Sequence, residues 1–140
     1  MSEQSDQPDA LASARGFCDS IERRDFEAAL SFFGPDPVWD MSALGMGAFA
    51  GRVQIRDLFE DWSRAYDEWD ITFDEFLDLG GGIVFAVVTE RGRLAGSTGR
   101  LHFRIAVVAA FVERLIMRVS TYADIDEART AAARLAEERG

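Results

Sequence analysis

The apolar positions of this chain change period along its length, from three-and-four to two, and the change divides it into a helical front and a stranded back. Leu11, Ala14, Cys18 and Ile21 recur at helical spacing with Phe17 beside them, in a stretch that starts at about Pro8. A second, shorter pattern carries Phe26, Ala29, Leu30 and Phe33 and stops at Gly34-Pro35. Val38 to Met41 reads as a brief extended segment, followed by the glycine-bearing loop Gly45-Met46-Gly47 and by Gly51. The strongest helical stripe comes next. Ile55, Leu58, Phe59, Trp62, Tyr66 and Trp69 form one apolar face, which predicts a main helix packed on a sheet.

From Asp70 the period is two, with Ile71, Phe73, Glu75, Leu77 and Leu79 on one face of a strand and Asp70, Thr72, Asp74, Phe76 and Asp78 on the other. Gly80-Gly81-Gly82 turns the chain into Ile83 to Thr89, which is apolar on both faces, as in a central strand covered on either side. Turns at Arg91-Gly92-Arg93 and Gly96 to Gly99 lead to a long strand, Leu101 to Val112, and Glu113-Arg114 turns it into Leu115 to Tyr122. Asp124, with Glu127 three residues on, caps a closing alanine-rich helix that sets Ile125, Ala128, Ala132 and Leu135 on one side. Helices first and then four strands joined by short turns predict a segregated α+β domain built on an antiparallel sheet. With no linker or repeat, residues 1–140 are expected to form one domain, with 1–8 disordered.

Composition narrows the chemistry. A net charge of −10 repels phosphate backbones and anionic lipid surfaces, so neither nucleic acid nor membrane is an expected partner. All 15 basic residues are arginine, which excludes lysine-based Schiff-base or general-base chemistry. One cysteine and one histidine cannot supply an internal disulfide or a zinc shell, so no metal or cofactor is expected. The start of the chain is acidic where a secretory signal is basic and then apolar, and a reducing cytoplasm is the expected location.

The order of elements, together with the strings Val38-Trp39-Asp40, Gly51-Arg52-Val53-Gln54-Ile55, Gly92-Arg93 and Tyr122-Ala123-Asp124-Ile125-Asp126-Glu127-Ala128, resembles the SnoaL-like branch of the nuclear-transport-factor-2-like superfamily. Ketosteroid isomerases and limonene epoxide hydrolase share that superfamily. The resemblance runs from Leu11 to Ala136 and implies a cystatin-like α+β barrel: a curved antiparallel sheet wrapped as a cone around the N-terminal helices and the long helix, with a closing C-terminal helix. It also implies a small-ligand pocket at the mouth of the cone and a homodimer through the outer face of the sheet. The isomerases use an aspartate base with a tyrosine and a protonated acid holding the enolate oxygen. Segment by segment, the base falls on Asp40, the tyrosine on Phe17 and the second acid near Val107. Phe17 and Val107 cannot donate a hydrogen bond, which disfavours that oxyanion hole. Val107 also breaks the Asp-Arg-Asp constellation of the epoxide hydrolases.

Alternation predicts an inward face of Val84, Ala86, Val88 and Glu90 on one strand, Phe103, Ile105 and Val107 on the next, and Met117 and Val119 on the last. Phe17, Leu58 and Trp62 from the helices close the space, with Trp39 beside Asp40 and Tyr66 at the edge of the core, where a phenol can donate to a ligand. Such a lining describes an apolar ligand site and a filled core equally well. Asp40, flanked by Trp39 and Met41, is the catalytic candidate: burial raises a carboxyl pKa and lets it take a proton from a carbon acid. Its alternative is an exposed carboxylate satisfied by the following loop. Glu90, beside Arg91 and Arg93, reads more readily as half of a surface ion pair. His102 falls on the face opposite Phe103 and Ile105, and Cys18 reads as packing.

Ile83, Phe85, Val87, Ala106, Val108, Ala110 and Ile116 would leave an apolar outer face open to water, and an isologous homodimer is the expected cover. The functional expectation is a small-molecule-binding protein with an apolar pocket, of the polyketide cyclase or isomerase acid–base type. Its alternatives are a non-catalytic binder of a hydrophobic metabolite and a dimeric interaction module with a filled cone.

Overall fold

The computed structural model describes residues 2–139, with side chains from Ala10 onward. Four helices and six strands follow one another as α1 (Ser2–Glu22), α2 (Phe26–Leu30), β1 (Phe33–Asp40), β2 (Ala48–Ala50), α3 (Gly51–Arg64), β3 (Tyr66–Gly80), β4 (Ile83–Leu94), β5 (Arg100–Val112), β6 (Leu115–Tyr122) and α4 (Ile125–Arg139). The side chains of 1–8, where disorder is expected, lie outside the described residues, although the backbone of α1 is helical from Ser2. No helix among the described residues is long and apolar enough to cross a membrane.

The strands form one curved, unclosed sheet in the order β2-β1-β6-β5-β4-β3. β3 to β6 pair antiparallel, as their short turns require, but β1 runs parallel to β6, so the sheet is mixed rather than wholly antiparallel. β2 is a three-residue strand that the sequence pattern does not announce. Two turns have an evident backbone logic. Glu113 and Arg114 both take positive φ, which gives the β5–β6 hairpin a twist matching its strands. At the β3–β4 turn Gly82 has φ +80°, and a Cβ there would stand 2.5 Å from the Phe111 carbonyl oxygen, so glycine alone fits.

The inner face of the sheet meets α1, α2 and α3. Phe17 sits at the centre, edge-on to Phe32 and Phe33 and tilted against Trp39 and Phe59. On β5 the odd-numbered side chains Ile105, Val107, Ala109 and Phe111 turn inward, while His102 and Arg104 are exposed on the outside, as alternation predicts.

Alternation fails where a strand carries an extra residue. β3 slips register between Phe73 and Glu75, so Ile71 and Phe73 face inward before the slip and Phe76 after it, while Leu77 crosses to the outer side. Asp74, the extra residue, accepts the Thr89 hydroxyl across the strand pair. β6 does the same opposite Ala110 and Phe111: Ile116 turns inward, against the outward place expected for it, and Met117 packs beside Gly34 instead of lining the interior.

The outer face is covered by the chain itself. α4 lays Ala128 and Ala132, both fully buried, on Ile83, Phe85, Val87, Ala106 and Val108, with Leu77, Leu79 and Tyr122 around them. Alanines let the helix approach the sheet closely, and Arg129 spans the edge, its guanidinium over the Phe85 ring and 3.5 Å from Glu75. Asp124 Oδ1 accepts the Glu127 amide, the cap expected from sequence. The exposed apolar face that called for a homodimer is therefore absent, because α4 provides its cover.

Candidate functional site

Between the inner face of the sheet and α1 and α3 lies a cavity of about 110 Å³. Its walls are almost entirely apolar. β4 contributes Val84, Ala86, Val88 and Glu90; β5 contributes Ile105, Val107 and Ala109; β6 contributes Val119 and Thr121. Phe17, Cys18 and Ile21 of α1, Leu58, Phe59 and Trp62 of α3, Trp69, Ile71, Phe73 and Phe76 of β3, Trp39 of β1 and Met41 just after it also line the space.

The polar chemistry of this space rests on two side chains and three indoles. Glu90 is 4% exposed, and its Oε1 accepts the indole N–H groups of Trp62 at 3.1 Å and Trp69 at 3.0 Å. Oε2 makes no hydrogen bond among the described residues. Thr121, 2% exposed, accepts the indole N–H of Trp39 at 3.1 Å. All three tryptophans of the chain thus line the cavity with their N–H groups committed to its two polar oxygens.

Burial raises the Glu90 pKa above its ordinary value, because the carboxylate loses hydration; the Trp69 and Trp62 donors offset part of that shift. No arginine or histidine lines the space among the described residues. Tyr66, expected at the site, does not line the cavity but packs behind its tryptophans, its ring stacked on Trp69 at 6.3 Å and tilted against Trp62, and burial followed by the Glu90 charge pushes its phenol up. Gly92 makes room for it, since a Cβ there would meet the Glu68 carbonyl at 2.5 Å and the Tyr66 ring at 3.0 Å. Burial likewise pushes the Cys18 thiol far up, which keeps it protonated and inert.

Glu90 overturns its reading as a surface ion pair. Strand alternation turns its neighbours away: Arg91 pairs with Asp70, and Arg93 with Asp67 and Glu68, while Glu90 points inward in phase with Val84, Ala86 and Val88. Asp40 is corrected in the opposite direction. It pairs in register with Ser120, which lies opposite Val108, and so projects from the outer face, while its neighbour Trp39 faces the cavity. Asp40 Oδ1 accepts the Ser42 hydroxyl and amide, and Oδ2 lies 2.6 Å from Arg118. The Ser42 hydrogen bonds first, and then the Arg118 charge, hold its pKa below the ordinary value, the reverse of what a buried base requires.

Among the remaining expected residues, Phe17, Trp39, Leu58, Trp62, Val84, Ala86, Val88, Ile105, Val107 and Val119 line the cavity. Phe103 does not, although it lies opposite Glu90 on β5, and the β6 bulge removes Met117. Tyr66 and Trp69 belong to β3 rather than to the long helix, which ends at Arg64. Trp69 and Thr121 were missed as site residues. A tryptophan just ahead of the alternating run, and a hydroxyl two residues beyond Val119 on the inward phase, were the available signals.

The same architecture occurs in solved structures at low identity. An NTF2-like protein of unknown function from Burkholderia pseudomallei K96243 is 19% identical, with 89% of this chain and 97% of that chain covered and a TM-score of 0.72. TerC co-crystallised with polyporic acid is 17% identical, with 90% and 98% covered and a TM-score of 0.73. An LEH-like epoxide hydrolase of M. tuberculosis is 16% identical, with 91% of each chain covered and a TM-score of 0.68. These likenesses establish the fold. No curated protein sequence matches the chain. The SnoaL-like domain family matches residues 14–119, most of the length, and the chain belongs to that family.

Proposed function

We propose that the protein binds a compact, apolar, ring-bearing carbonyl compound in the cone and that Glu90 is its acid–base group. The observation that carries this reading is one buried carboxyl, raised in proton affinity, with Oε1 held by two indoles in an otherwise apolar cavity. Two donors fix the orientation of the carboxyl and leave Oε2 for the ligand. The raised pKa brings a carboxyl nearer to the range where it both takes and returns a proton. Oε2 then removes a proton from the carbon next to the carbonyl. Returned to another carbon, that proton completes an isomerisation; with an internal carbonyl as electrophile, the enolate carbon closes a ring as the C=O π bond opens, and the resulting alkoxide takes the proton back from Glu90. Neither step draws on a cofactor.

Size supports a small ligand. A cavity of about 110 Å³ lies near the ~150 Å³ that encloses benzene and below the roughly 300–1,000 Å³ of drug-sized sites. TerC, a protein of the same fold, has been co-crystallised with a small molecule, polyporic acid. Epoxide hydrolysis of the Asp-Arg-Asp type is unsupported, since Glu90 is the only charged residue of the lining among the described residues.

The test is solvent-deuterium uptake next to the carbonyl in a panel of compact aryl and cyclic ketones. Wild-type protein exceeds buffer, and Glu90→Gln, which keeps an acceptor for both indoles, loses about 100-fold or more of that rate while still binding. Equal uptake in both proteins contradicts the assignment. A second reading, binding without chemistry, is favoured by Phe17 and Val107 offering the enolate oxygen no donor. It predicts a ligand-induced rise in Tm with no uptake in either protein.

A further inference from the structure

We infer that Thr121 is a second polar pole of the cavity and selects ligands that carry an oxygen function at the end remote from their carbonyl, an inference that rests on the pocket reading above. The threonine oxygen already accepts the Trp39 indole N–H at 3.1 Å, and no acceptor for its own hydroxyl proton exists among the described residues. A hydroxyl that is 2% exposed and lines an apolar space therefore directs an unused donor at whatever occupies that space. Leaving such a group unmatched is unfavourable, so an oxygen acceptor placed there gains affinity and a hydrocarbon placed there does not.

The sheet register sets the separation of the two poles. Thr121 lies opposite Val107, and Val107 lies opposite Ala86, four residues down β4 from Glu90. That offset is about 13 Å of strand, with two strand spacings of about 4.8 Å between β4 and β6. The curvature of the sheet brings the side chains closer than the backbone, but one carbonyl cannot serve both. Glu90 and Thr121 thus address different ends of one compact ligand, whose apolar middle lies against Val88, Ile105 and Val107. The Trp39 ring is wedged between Phe17, Phe33 and Phe59, which holds the indole, and through it the hydroxyl, in place.

The probes are 4-phenylbutan-2-one and 4-(4-hydroxyphenyl)butan-2-one, ketones that differ only in a distal hydroxyl, compared by isothermal titration calorimetry. Wild type binds the hydroxylated ketone at least fivefold more tightly. Thr121→Val, of nearly the same shape, brings the two within twofold, while Thr121→Ser restores the preference. Glu90→Gln shifts both affinities by a common factor and leaves their ratio unchanged. Binding of both ketones without preference in wild type, or a preference that survives Thr121→Val, overturns the inference and leaves the pocket reading intact. Failure of wild type to bind either ketone at millimolar concentration overturns both. The wild-type ratio decides the matter even if a variant does not fold.

Discussion

The indole N–H of Trp69 lies 3.0 Å from Oε1 of Glu90, although Trp69 stands opposite Gly92 on the neighbouring strand and not opposite Glu90 itself. Trp69 and Glu90 are diagonal neighbours on one face of the β3–β4 pair, and the large indole spans that offset. Trp62 arrives from α3 at the same oxygen. A helix and a strand therefore converge on one carboxyl.

Glu90 is expected to make stability fall as pH rises. Its folded pKa lies above the ordinary 4.5, so the contribution is complete below the unfolded value and is lost as pH rises through the folded one. Urea denaturation of wild type and Glu90→Gln over a pH series checks this: the variant gains relative stability above pH 4.5. Glu90→Leu, which strands two indole donors, is expected to cost about 1–3 kcal/mol more than Glu90→Gln. A wild-type curve parallel to that of the variant at every pH would remove the buried-carboxyl account.

Asp40→Asn should leave ligand binding and deuterium uptake untouched, because its side chain is on the other face of the sheet. Its depressed pKa gives stability that is present above the ordinary 3.8 and lost as pH falls through the folded value. With Arg118 half exposed, the loss at neutral pH is at most about 1 kcal/mol, measurable by denaturant melts. Loss of uptake without loss of fold would restore Asp40 as the base.

Gly92→Ala is predicted to displace the Tyr66 ring, since the new methyl would lie 3.0 Å from it and 2.5 Å from the Glu68 carbonyl. A destabilisation of about 1–3 kcal/mol is expected. Tryptophan emission should change as well, because Tyr66 packs on both Trp62 and Trp69. Unchanged emission and stability would mean that the strand accommodates the methyl freely.

Ala132→Asp tests the cover on the outer face. The site is fully buried against Ile83, Phe85 and Val108, so an unpaired carboxylate there should lower stability by several kcal/mol and promote self-association of the uncovered sheet. Sedimentation velocity of the variant against wild type reads the second effect. A stable variant that sediments like wild type would show that α4 does not seal this face.

The sequence made the helical front, the four-strand meander and the inward phase of β4 and β5 legible, because each is a periodic pattern with glycine or charged turns at its ends. What it concealed has physical causes. A bulge inserts one residue and exchanges the faces beyond it, and nothing about Asp74 or Met117 announces that insertion. Tyr66 and Trp69 continue the helical spacing of Trp62 by coincidence, and no glycine or proline marks the end of α3. Glu90 had the correct phase, yet its arginine neighbours in sequence suggested a pairing that strand alternation forbids. The alanines of α4 predicted a helix without stating which face of the sheet it would cover.

The most direct measurement is the carbon-13 carboxyl titration of Glu90 in the folded protein, identified as the glutamate resonance absent from Glu90→Gln. A midpoint above the ordinary 4.5 is the expected result, because burial of the carboxyl outweighs the Trp69 and Trp62 hydrogen bonds. A midpoint at or below that of the exposed glutamates would mean that Glu90 is a hydrated carboxylate, and the acid–base role proposed for this cavity would fail with it.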